Sequence, residues 1–139
     1  MVKPLQMIQN VAARLVFNQP KRAHVTPLLI KLYWLPVGAR IKFKSLMLAY
    51  RVIAGSAPTY LNALVRANVT PRMLRSSSER RLQARQSRLF SFVVPRWWNE
   101  LPSTTRAGAS LSTFKKFLKT QLFREHFFFF FYFVFLFLM

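Results

Sequence analysis

Glu79, Glu100 and Glu125 are the only carboxylate side chains in this sequence, which has no aspartate and no cysteine. A two-metal centre needs several carboxylates converging on both ions. These three glutamates fall in an expected loop, a turn and a helix end, without paired spacing. They are expected to be solvated surface charges. His24 and His126 are far apart and have no thiolate partner, so no zinc-ligand spacing exists. Gly38, Gly55 and Gly108 are the only glycines, too scattered to form a phosphate-cradling loop. Serines and threonines are common, but none has a base and an orienting acid nearby in sequence. The chain is therefore expected not to be an enzyme, with no catalytic residue, metal, cofactor or small-molecule substrate.

The chemistry that the sequence does favour is contact with polyanions. Lys and Arg number 22 against three acids in 139 residues, a formal net charge of +19. Positive charge on this scale opposes compaction, so an anionic partner would stabilise the fold. Between residues 72 and 88, Arg72, Arg75, Arg80, Arg81, Arg85 and Arg88 face Glu79 alone. Arginine pairs bidentately with phosphate and stacks on bases, and Arg-rich segments can order on RNA. Lys115, Lys116 and Lys119 form a second basic group. These nine residues are the candidate nucleic-acid contacts, with RNA or DNA as the expected partner. The competing expectation for 72–88 is an exposed or disordered loop that binds nothing. Trp34, Trp97 and Trp98 could serve as base-stacking platforms, but core packing is the stronger expectation. Of the adjacent pair Trp97 and Trp98, one is expected to pack and the other to be exposed.

The elements that must carry these residues follow a pattern that predicts a mostly α fold: a small irregular helical domain of about five helices, with an Arg-rich loop, a short β-like segment and an apolar tail. Leu5, Ile8, Ala12, Leu15 and Val16 recur at helical spacing, predicting an amphipathic helix over 5–17 that Asn18-Gln19-Pro20 ends. Thr26 as N-cap and Pro27 at the first helical position open a short helix that Pro36 interrupts. A central, well-buried helix is predicted over about 37–54, with Gly55 at its C-terminus. Pro58 opens a further helix reaching about Arg66. Residues 89–94, LFSFVV, read as a strand, and 96–102 as a turn anchored to the core. Ser110 or Ser112 caps a last helix running to about Glu125, with Phe114, Phe117, Leu118 and Leu122 on one stripe and the three lysines outside it. The expected core is Leu5, Ile8, Leu15, Leu28, Leu32, Trp34, Ile41, Leu48, Val52, Leu61, Phe114, Leu118 and Leu122.

Two regions follow: a helical region over 1–126 and a Phe-rich low-complexity tail, FFFFFYFVFLFLM, over 127–139. As a helix the tail would span about 20 Å, short of the roughly 30 Å hydrocarbon core of a bilayer. Interfacial insertion from Phe127 to Met139 into an anionic membrane is the alternative function, with Lys115, Lys116, Lys119 and Arg124 just upstream to attract lipid headgroups. As an extended strand the tail would be an aggregation hazard. The N-terminus shows no apolar signal-peptide core, and an intracellular site, nucleus or cytoplasm, is expected.

Five ordered blocks resemble one family: LQMIQNVAARLVF at 5–17, HVTPLLIKLYWLPVGARIKFKSLMLAYRVIAGSAPTYL at 24–61, LRSS at 74–77, RLFSFVVPRWWNELP at 88–102 and SLSTFKKFLKTQLF at 110–123. Together they resemble the C-terminal region, after the reverse transcriptase domain, of the polyprotein of LINE-type non-LTR retrotransposons. The resemblance implies a role in holding RNA or target DNA near a polymerase that is encoded elsewhere in the parent. The stretch over 78–87 is shorter than the family's, and the tail after His126 has no counterpart in it. The resemblance thus implies a truncated, non-catalytic remnant, or a degraded-element product without function.

Overall fold

In the computed structural model, which describes residues 2–68, 81–84 and 89–138, the chain is mostly helical. The elements in order are α1 (Val2–Val16), α2 (Thr26–Lys31), α3 (Val37–Ile53), α4 (Thr59–Asn62), β1 (Arg66–Ala67), β2 (Leu82–Gln83), α5 (Leu89–Glu100), α6 (Ser103–Arg106) and α7 (Leu111–Leu138). They form two compact units, one of Met1–Ile41 with Lys119–Met139, the other of Lys42–Leu118.

Helix ends follow local chemistry. Asn18, Tyr33 and Gly55 all have positive φ just beyond α1, α2 and α3. At each, two backbone N–H groups reach back to the last-turn carbonyls: Asn18 and Gln19 to Leu15 and Arg14, Tyr33 and Trp34 to Ile30 and Leu29, Gly55 and Ser56 to Val52 and Arg51. This doubly bonded left-handed cap satisfies carbonyls that a helix end otherwise leaves open. At the start of α7, the Ser110 hydroxyl accepts the Thr113 N–H at 3.2 Å, so Ser110 is the capping serine. Thr26 differs from expectation. It is already helical, Val25 occupies the cap position, and no side chain caps α2.

The first unit is built around Ala13 of α1, Leu28 and Leu29 of α2, and Phe127 of α7, with Phe17, Trp34 and Phe123 packed against them. Tyr33 stacks on Phe123 at 5.9 Å between ring centroids. Helix α1 is where expected but faces the other way. Leu5, Ile8 and Leu15, expected in the core, are exposed, whereas Gln9 and Ala13 are buried. The reason lies in backbone satisfaction. The Gln9 side chain donates to the Leu35 carbonyl at 2.8 Å, and the Gln6 side-chain oxygen accepts the Val37 N–H, also at 2.8 Å. Val37 is the first residue of α3, so its N–H has no partner within that helix. The glutamines therefore turn inward, where an unmade backbone bond would cost more than an exposed aliphatic side chain.

The second unit is centred on three aromatic rings. Phe114 lies 4.5 Å from Tyr50 and 5.5 Å from Trp98 between ring centroids. The Tyr50 hydroxyl donates to the Gly108 carbonyl at 2.9 Å, so its polar tip is satisfied inside the core. Leu46, Val94, Trp98, Phe114 and Leu118 are almost fully enclosed. Leu28, Leu61, Phe114, Leu118 and Leu122 are buried as expected; Leu32, Trp34, Leu48 and Val52 are half-buried; Ile41 is exposed.

Two further expectations differ from the structure. Residues 89–100 form helix α5 rather than a strand and a turn, with Pro95 inside it. Val94, Pro95 and Trp98 are buried on one face of that helix. The burial outweighs both the strand preference of Phe and Val and the helix-breaking tendency of proline. The helix expected from Pro58 to Arg66 ends at Asn62, and Arg66 instead enters β1, which pairs with β2. The short β-structure is thus at 66–67 and 82–83. The apolar tail continues α7 as helix up to Leu138.

Candidate nucleic-acid interface

The strands β1 and β2 are antiparallel, with Arg66 opposite Gln83 and Ala67 opposite Leu82. The Asn68 N–H donates to the Arg81 carbonyl at 2.9 Å, extending the ladder by one step. Side chains directly opposite one another in such a pair lie on the same side, and alternate residues along each strand share a face. Arg66, Asn68, Arg81 and Gln83 therefore form one face, and all four are exposed. Leu82 lies on the other face and is buried. Arg66 and Arg81 stand on a diagonal of the ladder, a separation of about 7–8 Å.

This small hairpin is tied to α5 by one side chain. The Leu82 N–H donates to Asn99 Oδ1 at 3.0 Å, and Asn99 Nδ2 donates to the Leu82 carbonyl at 2.9 Å. The amide of Asn99 thus pairs with β2 as a third strand would, covering an edge that is otherwise open. Trp98, the preceding residue on α5, is fully buried and holds that helix in place. A two-residue strand pair has little stability of its own; Leu82 in the core and Asn99 on its backbone supply the support.

Of the expected arginine contacts, Arg81 is exposed at the end of this face. Arg72, Arg75, Arg80, Arg85 and Arg88 lie outside the described residues; the first three fall between β1 and β2 in sequence. Arg66 was not among the expected contacts, yet the strand register sets it on the Arg81 face. Only the pairing of two segments distant in sequence reveals this. Lys115, Lys116 and Lys119 are all exposed on α7, outside the stripe of buried Phe114, Leu118 and Leu122. Lys115 and Lys116 belong to the unit that carries the hairpin, and Lys119 to the other.

The paired tryptophans divide only in part as the sequence implied, since both lie on helix α5 and Trp97 is half-buried rather than exposed. Trp98 is in the core. Trp97 is half-buried, with the Lys42 ammonium 6.0 Å from its ring centroid. At that distance a cation gains modest attraction from the ring. Arg96 and Glu100 form an exposed ion pair at 3.4 Å, one helical turn apart. Its contribution to stability is small, because water screens both ends.

Glu79 lies outside the described residues. Glu125 accepts a hydrogen bond from the Gln121 amide at 3.0 Å on the surface of α7. His126 Nδ1 sits 2.9 Å from the Leu122 carbonyl of its own helix. Among the described residues, no three His, Cys, Asp or Glu side chains converge to hold a metal ion. Also among them, no helix is long and apolar enough to cross a membrane. The arrangement sets two exposed arginines, Arg66 and Arg81, on one face of the strand pair.

No protein-family model, curated protein or solved structure matches the chain.

Proposed function

We propose that this chain is a non-catalytic, basic helical module that binds RNA or DNA through the phosphate backbone, a remnant of a LINE-type retrotransposon polyprotein. The observation that carries the reading is the shared exposed face of Arg66 and Arg81 at the base of the Arg-rich segment. Two arginines whose backbone is held on a supported ladder lose less backbone freedom on meeting phosphates than two on a bare chain. The three carboxylates of the sequence leave most of its 22 cations without an acidic partner on the same chain. Releasing counterions from a polyanion would then drive association. The retroelement origin rests on the five ordered residue blocks between Leu5 and Phe123.

The test is filter binding of the full chain to single-stranded RNA and to duplex DNA across salt concentrations. Affinity is expected to fall steeply between about 50 and 200 mM salt. It is also expected to exceed that of an unfolded peptide of equal length and charge. Affinity that ignores salt, or merely equals that of the unfolded peptide, would refute the reading.

A second reading, association with an anionic membrane through Phe127 to Met139, draws on the exposure of Phe128, Tyr132, Phe135 and Phe137 along the end of α7. Tyrosine favours the headgroup level of a bilayer, and phenylalanine the acyl boundary just beneath it. Carbonate extraction of the full chain, compared with a Phe128→Ser/Phe135→Ser/Phe137→Ser variant, separates this reading from the first. Equal extraction of both would refute it.

A further inference from the structure

The outward face of α1 is apolar along its whole length. Met7, Ile8, Val11 and Leu15 are 67%, 66%, 53% and 75% exposed. At 100° per residue they occupy one continuous arc, with Pro4 and Leu5 beside them and no charged residue within it. The polar residues of the helix cannot exchange places with them. Gln6 and Gln9 are committed to the backbone at Val37 and Leu35, and Arg14 Nε donates to the Ala23 carbonyl at 3.1 Å. The rotation of α1 is therefore set by bonds on its inner side, and the unit presents a fixed aliphatic ridge about 17 Å long from Pro4 to Leu15.

Charge decides what can cover this ridge. The unit of Met1–Ile41 with Lys119–Met139 has eight Lys and Arg against Glu125 alone, a net charge of +7. A second copy would bring the same charge to the same face, and like charges disfavour that pairing. A nucleic acid would meet the charge but offers no apolar phase to Ile8 and Leu15. An anionic bilayer surface supplies both at once. Lys3 near one end of α1, and Lys21 and Arg22 just past the other, are exposed and flank the ridge where headgroup phosphates would lie.

We propose that α1 is an interfacial membrane-binding helix that seats Met7, Ile8, Val11 and Leu15 at the acyl boundary of an anionic bilayer. Its strength comes from buried apolar area added to electrostatic attraction. The inference rests on α1 and the charge of its unit, independent of the nucleic-acid reading and of the Phe-rich end of α7.

A chain this basic adheres to anionic vesicles by charge alone, so the test reads depth. The sequence has no cysteine, so single Ile8→Cys, Leu15→Cys and Tyr60→Cys variants of the full chain each carry one environment-sensitive fluorophore. Tyr60 is an exposed comparator in the other unit. The vesicles are phosphatidylcholine with phosphatidylserine, with and without bromine on the acyl chains. Fluorophores at 8 and 15 are expected to brighten and to be quenched by the brominated lipid, and the one at 60 to stay unquenched. An unlabelled Ile8→Ser/Leu15→Ser variant, its helicity checked by circular dichroism, is expected to partition on the order of thirtyfold more weakly. If fluorophores at 8 and 15 stay in water while the chain is vesicle-bound, charge alone binds it and the inference fails. It fails equally if the double variant partitions as the parent does. A lipid-free dimer that the double variant dissolves, with no quenching at 8, would assign the ridge to a second copy instead.

Discussion

The side-chain amide of Asn99 pairs with both backbone groups of Leu82, accepting its N–H at 3.0 Å and donating to its carbonyl at 2.9 Å. One residue of α5 therefore completes the edge of the strand next to Arg81. The basic face of the hairpin depends on this link, because two-residue strands do not hold themselves.

Asn99→Ala should leave both Leu82 groups without that partner beside a buried side chain. The expected loss is about 2 kcal/mol of stability, read by urea unfolding. Hydrogen exchange at the Leu82 amide should quicken more than at Tyr50, which lies inside α3. Unchanged exchange at Leu82 would show that the hairpin has another support.

Trp97 and Trp98 are neighbours with different roles, so their substitutions should separate. Trp98→Ala removes a fully buried ring packed on Phe114 and should cost about 3–5 kcal/mol. Trp97→Ala removes a half-buried ring near Lys42 and should cost less than half of that. Equal midpoint shifts in denaturant would contradict the packing described.

Gly55 has φ +72°, and a Cβ there would meet nothing within 4 Å. Gly55→Ala should therefore be a clean measure of left-handed backbone strain, destabilising by about 1–2 kcal/mol. A thermal unfolding midpoint equal to that of the parent would contradict the cap geometry at the end of α3.

How much of this was legible in the sequence depends on which forces are local. The boundaries of α3 and its Gly55 end follow from residues within a few positions of each other, and reading the pattern finds them; for the cap of α7 the pattern offers Ser110 or Ser112, and the Thr113 N–H bond selects Ser110. Helix α1 was legible as a helix but not in its rotation. Its stripe of Leu5, Ile8 and Leu15 implies a core face, whereas Gln6 and Gln9 are drawn inward by backbone groups far along the chain, at Val37 and Leu35. Helix α5 was hidden by its own composition, since LFSFVVP favours a strand that stops at proline and only burial of Val94, Pro95 and Trp98 overrides that. The basic character of the candidate interface was plain from the spacing of arginines. The membership of Arg66 was not, because it arises from strand register, and neither was the anchoring by Asn99, which has no motif of its own.

The central claim is that Arg66 and Arg81 act together as phosphate contacts on a folded face. The most direct measurement is the slope of log affinity against log salt for single-stranded RNA, comparing the full chain with an Arg66→Ala/Arg81→Ala variant of the same helicity. Removing one arginine–phosphate pairing should flatten the slope by about 0.7, so the double variant should be shallower by roughly 1.4. A slope and affinity identical to those of the parent chain would contradict the account and leave the hairpin face without a part in nucleic-acid binding.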